Sequence, residues 1–372
     1  MSTVKVNAIT DASGGNTATI NSMTPTADSL QGFRNRLINS DMRIDQRNAG
    51  AAVTVANSFP VDRFTMGNNT DGTFSAQQDS SAPAGFVNSV KITTTTADGT
   101  LTTTQNMNFR QRIEGTNTAD LGWGTASAKT VTLSFWVRSS LTGTFGGALS
   151  NSAQDRSYPY TYTISAADTW EYKTVTIPGD TTGTWLTNTG TGILLFFGLG
   201  AGPDRSGTAG AWAAVQAVSA TGAVSVIGTL NATWFITGVQ LEVGSVATPF
   251  ERRDYGRELI MCQRYYWKIT GGTAVPFGSG FNSSTTQNQI VTFFPVEMRT
   301  APSALEQSGT ASHYRIRHAA TDTTVSVVPA FQNASNWLTW TEATVASGLT
   351  AGQGSFLRSN NASAYLAWSA EL

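Results

Sequence analysis

The sequence predicts a mainly β chain: an extended N-terminal segment, a sandwich of short strands, one linking amphipathic helix and a C-terminal β-rich domain. Three observations point there. Short apolar segments recur between Gly, Pro, Asn and Asp punctuation, the pattern of strands joined by turns. The composition holds 36 Gly, only 13% charged residues and much Thr, which favours strands and turns over helices. Between positions 234 and 267 the hydrophobic period changes across Pro249, so a strand gives way to a helix.

Each region follows from its own pattern. Residues 1–28 are polar and turn-rich, with Val4, Val6, Ile9 and Ile20 among too few apolar anchors to form a core. They are either a disordered tail or a segment ordered by docking on a partner, as an added strand or in a groove. The connector, 29–50, mixes Leu30, Phe33, Leu37, Ile38, Met42 and Ile44 with Arg34, Arg36, Arg43 and Arg47, a pattern expected to give a short helix and then a strand. Strands of the sandwich domain, 51–250, are expected at 86–92, 101–107, 131–137, 158–164, 172–177, 193–199 and 235–243. In the last of these Val239, Leu241 and Val243 share one face, with Gln240 and Glu242 on the other. The stretch 207–230 reads either as a helix near 211–218 or as a long excursion between strands.

The linking segment, 251–270, carries a helix over 251–268, with Pro249 ahead of it and Gly271 and Gly272 behind. Tyr255, Leu259, Cys262 and Tyr266 recur at steps of four, three and four, so they make one apolar stripe, and Arg253, Arg257 and Arg264 lie on the other side. That stripe needs a partner. In a monomer it would lie on the sandwich, and in a homotrimer it would meet two copies of itself. The C-terminal domain, 271–372, has expected strands at 290–296, 313–316, 323–328, 337–345 and 355–372.

Five stretches together resemble a known family: RNRLINSDMRIDQRNAG (34–50), FPVDRF (59–64), LSFWVRSS (133–140), TWEYKTVTIPGDTTGTW (169–185) and GVQLEVGSVATPFERRDYGRELIMCQRYYW (238–267). They are similar to bacteriophage tail fibre and tail tip (receptor-binding) proteins, and the resemblance spans roughly residues 30–300. It implies a jelly-roll sandwich like those of carbohydrate-binding modules, a distal β-rich domain and a trimer. It also implies a role: a structural virion protein, attached by its N-terminus to another phage tail protein and recognising host-surface glycan. Val4, Val6, Ile9 and Ile20 would then be the docking residues. A fold does not fix function, so a glycan-degrading tailspike and a decoration or collar fibre without receptor contact stay open.

Composition bounds the chemistry. A formal charge of −1 and no long basic run give no electrostatic footprint for nucleic acid. The longest apolar run, 193–197, is too short to span a bilayer, so no membrane insertion is expected. MSTVKVNAITDASGG has no signal-peptide core, and the single Cys262 suits synthesis in a reducing cytoplasm before incorporation into a virion.

The residues suited to sugars are aromatic. Tyr158, Tyr160 and Tyr162 alternate, so on a strand their rings share one face, either a platform for a sugar or part of the core. Phe135, Trp136 and Trp170 read as core. In the C-terminal domain His313, Tyr314, Trp337 and Trp340 are candidate glycan contacts, although Trp337 and Trp340 would face opposite sides of a straight strand, putting at least one inside. No cofactor or metal is expected: His313 and His318 lie in no metal-ligand spacing, and no GxSxG elbow or phosphate loop occurs. No catalytic residue is assigned. Glu297, Glu306, Asp322 and Glu342 read as solvated charge, though a hydrolytic pair among them stays open. The solenoid repeat common in depolymerases is missing.

Overall fold

Period-two segments become strands where one of their faces meets a second apolar layer, and the computed structural model, which describes residues 33–372, shows which face that is. Val4, Val6, Ile9 and Ile20, expected to dock the chain, lie outside the described residues. Two compact units emerge. The first contains residues 33–43, 51–60 and 64–252, and the second contains 44–50, 61–63 and 253–372.

The first unit is a sandwich of two five-stranded antiparallel sheets. One has the order β1 (Phe64–Asn68), β4 (Asn106–Glu114), β9 (Thr191–Ala201), β6 (Gly143–Ser150), β7 (Ser157–Ile164). The other runs β2 (Thr73–Asp79), β3 (Ser89–Thr96), β12 (Thr233–Val243), β5 (Val131–Ser139), β8 (Glu171–Ile177). Strands β2 and β3, and β6 and β7, pair as neighbours within a sheet, while the other connections cross from one sheet to the other, as in the jelly roll the resemblance implies. Alternation sets the core: Val131, Leu133, Phe135 and Val137 of β5 all point inward and are fully buried. A chain of rings crosses the interior. Phe64 stacks on Phe109 at 4.9 Å, and Phe109, Trp234, Phe197, Phe135, Tyr162 and Phe145 continue it at 5.0–6.0 Å between centroids. Each such side chain contributes about 1.5–3 kcal/mol by leaving water.

Strand β9 is apolar on both faces because it is covered on both. Its outer residues Leu194 and Phe196 pack with Ala148 of β6 and with Val218 of the 207–230 stretch, which is an excursion and not a helix. Within that excursion β10 (Ser206–Gly207) pairs parallel to β11 (Ser219–Ala220). Gly198 permits the close cover, since a Cβ there would meet the Ser219 Cβ at 2.5 Å. The expected strand at 101–107 falls mostly on a loop, and β4 starts at Asn106.

In the second unit the helix is shorter than its pattern. It spans α1 (Tyr255–Gln263), with the Asp254 side chain capping it by accepting from the Arg257 amide at 2.9 Å. The helix stops there because Tyr266 and Trp267 are taken by β13 (Tyr266–Thr270). That strand pairs with β21 (Tyr365–Ser369), whose other neighbour is β16 (Glu306–Gln307). Trp267 stacks on Trp368 at 5.4 Å. Beyond this small sheet β14 (Pro276–Asn282), β15 (Gln287–Phe293), β19 (Leu338–Val345), β18 (Thr321–Ala334), β17 (Tyr314–His318) and β20 (Gly354–Ser359) close a six-stranded barrel in that order. Phe277, Ile290, Tyr314, Ile316, Val345 and Leu357 fill it.

The second unit also buries charge. Asp62, 1% exposed, accepts from the Gln46 amide at 3.1 Å and lies 3.5 Å from Arg47. Arg47 reaches Glu371 at 3.3 Å, and Arg63 pairs with Glu371 as well. The two guanidiniums lie over the rings of Tyr266 and Tyr265 at 3.6 and 3.5 Å. Burial pushes the Asp62 carboxyl up to about 6 despite Arg47.

Candidate functional site

The outer face of the second sandwich sheet forms an open groove of about 610 Å³. Period two puts Trp136 of β5 outward while Phe135 goes inward, and Tyr172 of β8 is its cross-strand partner. Their rings lie 5.4 Å apart at 48°, with Tyr172 44% exposed. The neighbouring strand β12 carries a bulge between Thr237 and Gln240, where Gly238 adopts φ +62°. A Cβ at Gly238 would meet the Phe86 ring at 2.6 Å, so the glycine lets that ring close the groove floor.

The far wall is the loop after β12. Phe250 packs edge-on to Phe86 at 5.1 Å, and Arg252 sits 4.8 Å above the Phe86 ring. Buried side chains of β12 hold this wall. Glu242, 2% exposed, accepts from the Thr248 amide at 2.8 Å and from its hydroxyl at 2.6 Å. Gln240 donates to Glu242 at 2.8 Å and accepts from the Glu251 amide at 2.7 Å. The Asn35 amide donates to Glu251 at 2.6 Å, and Arg34 donates to the Thr248 hydroxyl at 2.8 Å. The groove therefore offers aromatic faces, the exposed Tyr172 side chain with its hydroxyl, and one exposed guanidinium on a hydrogen-bonded frame.

The aromatic residues singled out from sequence fall elsewhere. Tyr158, Tyr160 and Tyr162 do share one face of β7, but it is the inner one, and they are 6%, 1% and 5% exposed. Tyr160 donates to the Phe196 carbonyl at 2.8 Å, and Tyr162 accepts from the Trp234 indole at 3.2 Å. Burial raises both phenols. They are core, not a platform. Trp136 is corrected in the opposite sense, from core to groove, and Trp170 lies half-buried, edge-on to Phe235 at 6.1 Å. Phe86, expected to open a strand, and Arg252, expected in the helix, stand with Phe250 on loops instead, because β3 starts at Ser89 and α1 at Tyr255.

In the second unit Tyr314 is fully buried and donates to the Tyr365 carbonyl at 2.7 Å, so it is a core residue and not a glycan contact. His313 meets the Ser308 hydroxyl at 2.9 Å. Trp337 and Trp340 are both exposed, at 56% and 39%, because Trp337 precedes β19 and escapes its alternation. The helical stripe is broken as a seam: Tyr255 is exposed, Leu259 half-buried, Cys262 buried, and Tyr266 sits on a strand under Arg47. Burial, with nearby Asp62 and Glu258, pushes the Cys262 thiol well up, an inert thiol. Glu306 accepts from the Tyr266 hydroxyl at 3.1 Å, and Glu342 from Gln287 at 3.2 Å. Among the described residues no three His, Cys, Asp or Glu side chains gather as a metal site, and no helix is long and apolar enough to cross a membrane.

No protein-family model and no curated protein matches this chain. Solved structures do. One is the enzymatically active domain of tailspike protein 4 from bacteriophage CBA120, at 11% identity and TM-score 0.32, covering 57% of this chain and 22% of the tailspike. A second is the carbohydrate-binding module TmCBM61 in complex with β-1,4-galactotriose, at 10% identity and TM-score 0.30, covering 57% of this chain and 99% of the module. A third is the family 11 carbohydrate-binding module of a cellulosomal cellulase from Clostridium thermocellum, at 13% identity and TM-score 0.27, covering 54% of this chain and 100% of that one. The sandwich assignment itself rests on the strand register described above.

Proposed function

We propose that this chain is a structural tail fibre protein of a tailed bacteriophage that grips host-surface glycan in the groove on its sandwich. The observation that carries the binding half is the outward pair Trp136 and Tyr172 in one open groove with Phe86, Phe250 and Arg252. Aromatic faces take the C–H side of pyranose rings while hydroxyls and a guanidinium meet their polar edges. The groove's lining is aromatic, small, hydroxyl-bearing and cationic. Glycoside hydrolysis works through two facing carboxylates, so this set suits holding rather than cleaving.

The virion half of the reading is supported by the five sequence stretches that resemble phage tail fibres. In this reading the N-terminal residues join a neighbouring tail protein and the protein assembles as a homotrimer. Incubating the full chain with purified host surface polysaccharide tests the first half. Retention with unchanged polymer length supports it, whereas shortening of the polymer identifies a depolymerase. Labelling the chain in intact particles tests the second, and a position at the collar or capsid replaces the tail assignment. Sedimentation of the purified protein gives the copy number.

A further inference from the structure

The barrel carries a charge imbalance that overall composition hides. Arg315 and Arg317 alternate outward on β17, and the register sets Arg315 directly opposite Arg358 on β20. Like charges in that position oppose pairing. All three guanidiniums turn to one oxygen of Asp322: Arg315 at 3.5 Å, Arg317 at 3.4 Å, and Arg358 in closer contact. One carboxylate against three guanidiniums leaves two positive charges on this face, in a chain whose formal net charge is −1. The Nε groups of Arg315 and Arg358 are buried with no hydrogen-bond partner. Their side chains remain 23% and 16% exposed, and that of Arg317 31%. Phe356, half-buried on the same outer face of β20, is the register partner of Arg317.

We infer that Arg315, Arg317 and Arg358 form an oxyanion site for an acidic polysaccharide, taking the carboxylate of a uronic acid or the phosphate of a sugar phosphate. Guanidinium forks match both groups, and an adjacent aromatic edge covers part of the attached ring. The arrangement is a single point of charge rather than a track, so it fits one acidic group per repeat and not a nucleic-acid backbone. It stands independently of the sandwich groove, since every residue in it belongs to the barrel.

The test is calorimetric titration of the full chain with oligogalacturonate, a glycerol phosphate oligomer and a neutral galacto-oligosaccharide, at low and high salt. The site predicts that at least one acidic oligomer binds in a salt-sensitive way, and the tighter of the two identifies the group. The double variant R315Q/R358Q should lose about tenfold in affinity for it. D322N should gain severalfold, because the competing carboxylate is gone, and a fold defect would not produce that gain. The neutral oligomer should show no salt-sensitive binding and no change in R315Q/R358Q, which separates this site from the groove. Equal affinity for acidic and neutral oligomers, an unchanged double variant with an unchanged melting temperature, a loss in D322N, or equally tight single-stranded DNA would each overturn it.

Discussion

Replacing Trp136 with Ala should abolish most glycan binding by the groove while leaving the sandwich folded. The indole stands outward, half-buried, with Tyr172 at 5.4 Å. A pyranose face laid on it hides on the order of 60–80 Å² of apolar surface, which at about 25 cal/mol per Å² amounts to about 2 kcal/mol. That loss raises Kd about 30-fold. The control is its chain neighbour: Phe135 is fully buried between Phe197 and Tyr162, and Phe135→Ala should cost about 3–5 kcal/mol of stability. The assay pairs calorimetry against a host polysaccharide fragment with thermal melts of both variants. A W136A protein that binds like the parent would refute the groove, and an F135A protein that melts like the parent would refute the inward register of β5.

Three further outcomes follow from buried groups. Tyr160→Phe removes the hydroxyl that satisfies the Phe196 carbonyl, so it should lower stability by about 1–2 kcal/mol in chemical denaturation and leave glycan affinity unchanged. Glu242→Ala strips the acceptor from the Thr248 amide and hydroxyl, and hydrogen exchange in 245–252 should speed up together with a several-fold loss of glycan affinity. Asp62 has a folded pKa near 6, above its ordinary value of 3.8, so the folded second unit binds this proton more tightly than the unfolded chain does. Its contribution to stability is therefore full below pH 4 and is lost as pH rises through about 6, on the order of 3 kcal/mol. Melting temperature against pH should fall across that window from this group and flatten there in Asp62→Asn; an unchanged slope in the variant rules out Asp62 as its source.

Strand positions were legible wherever alternation was clean, as in β5, β7, β8 and β12. They were not legible for β6, GTFGGALS, where Gly stands at positions a Cβ would block against Ser219 and Tyr160. The helix was visible in its period but not in its end, because a strand partner, β21, claimed Tyr266 and Trp267 from about 100 residues away. The polar face of β12 gave the opposite error. Gln240 and Glu242 look solvent-facing in sequence, yet both are buried, because the loop after the strand folds back onto them and supplies their hydrogen bonds.

The candidate site turned on a question that period two leaves open. Alternation says that Tyr158, Tyr160 and Tyr162 share a face, and that Phe135 and Trp136 do not; it does not say which face is wet. The answer comes from the opposite sheet, whose Phe135 and Trp234 meet Tyr162 of the tyrosine row, while on the other side of β5 the Phe86 and Phe250 loops leave an open groove beside Trp136. The same logic separates the charged residues. Arg36, in the stretch 34–50, is buried against Asp120 with two hydrogen bonds at 3.0 and 2.7 Å, a structural pairing. Arg315, Arg317 and Arg358, which form no run in the sequence, converge only because β17 and β20 pair. Chemistry carried by neighbouring strands is written in the register, and a binding site made that way becomes visible only when the strands are paired.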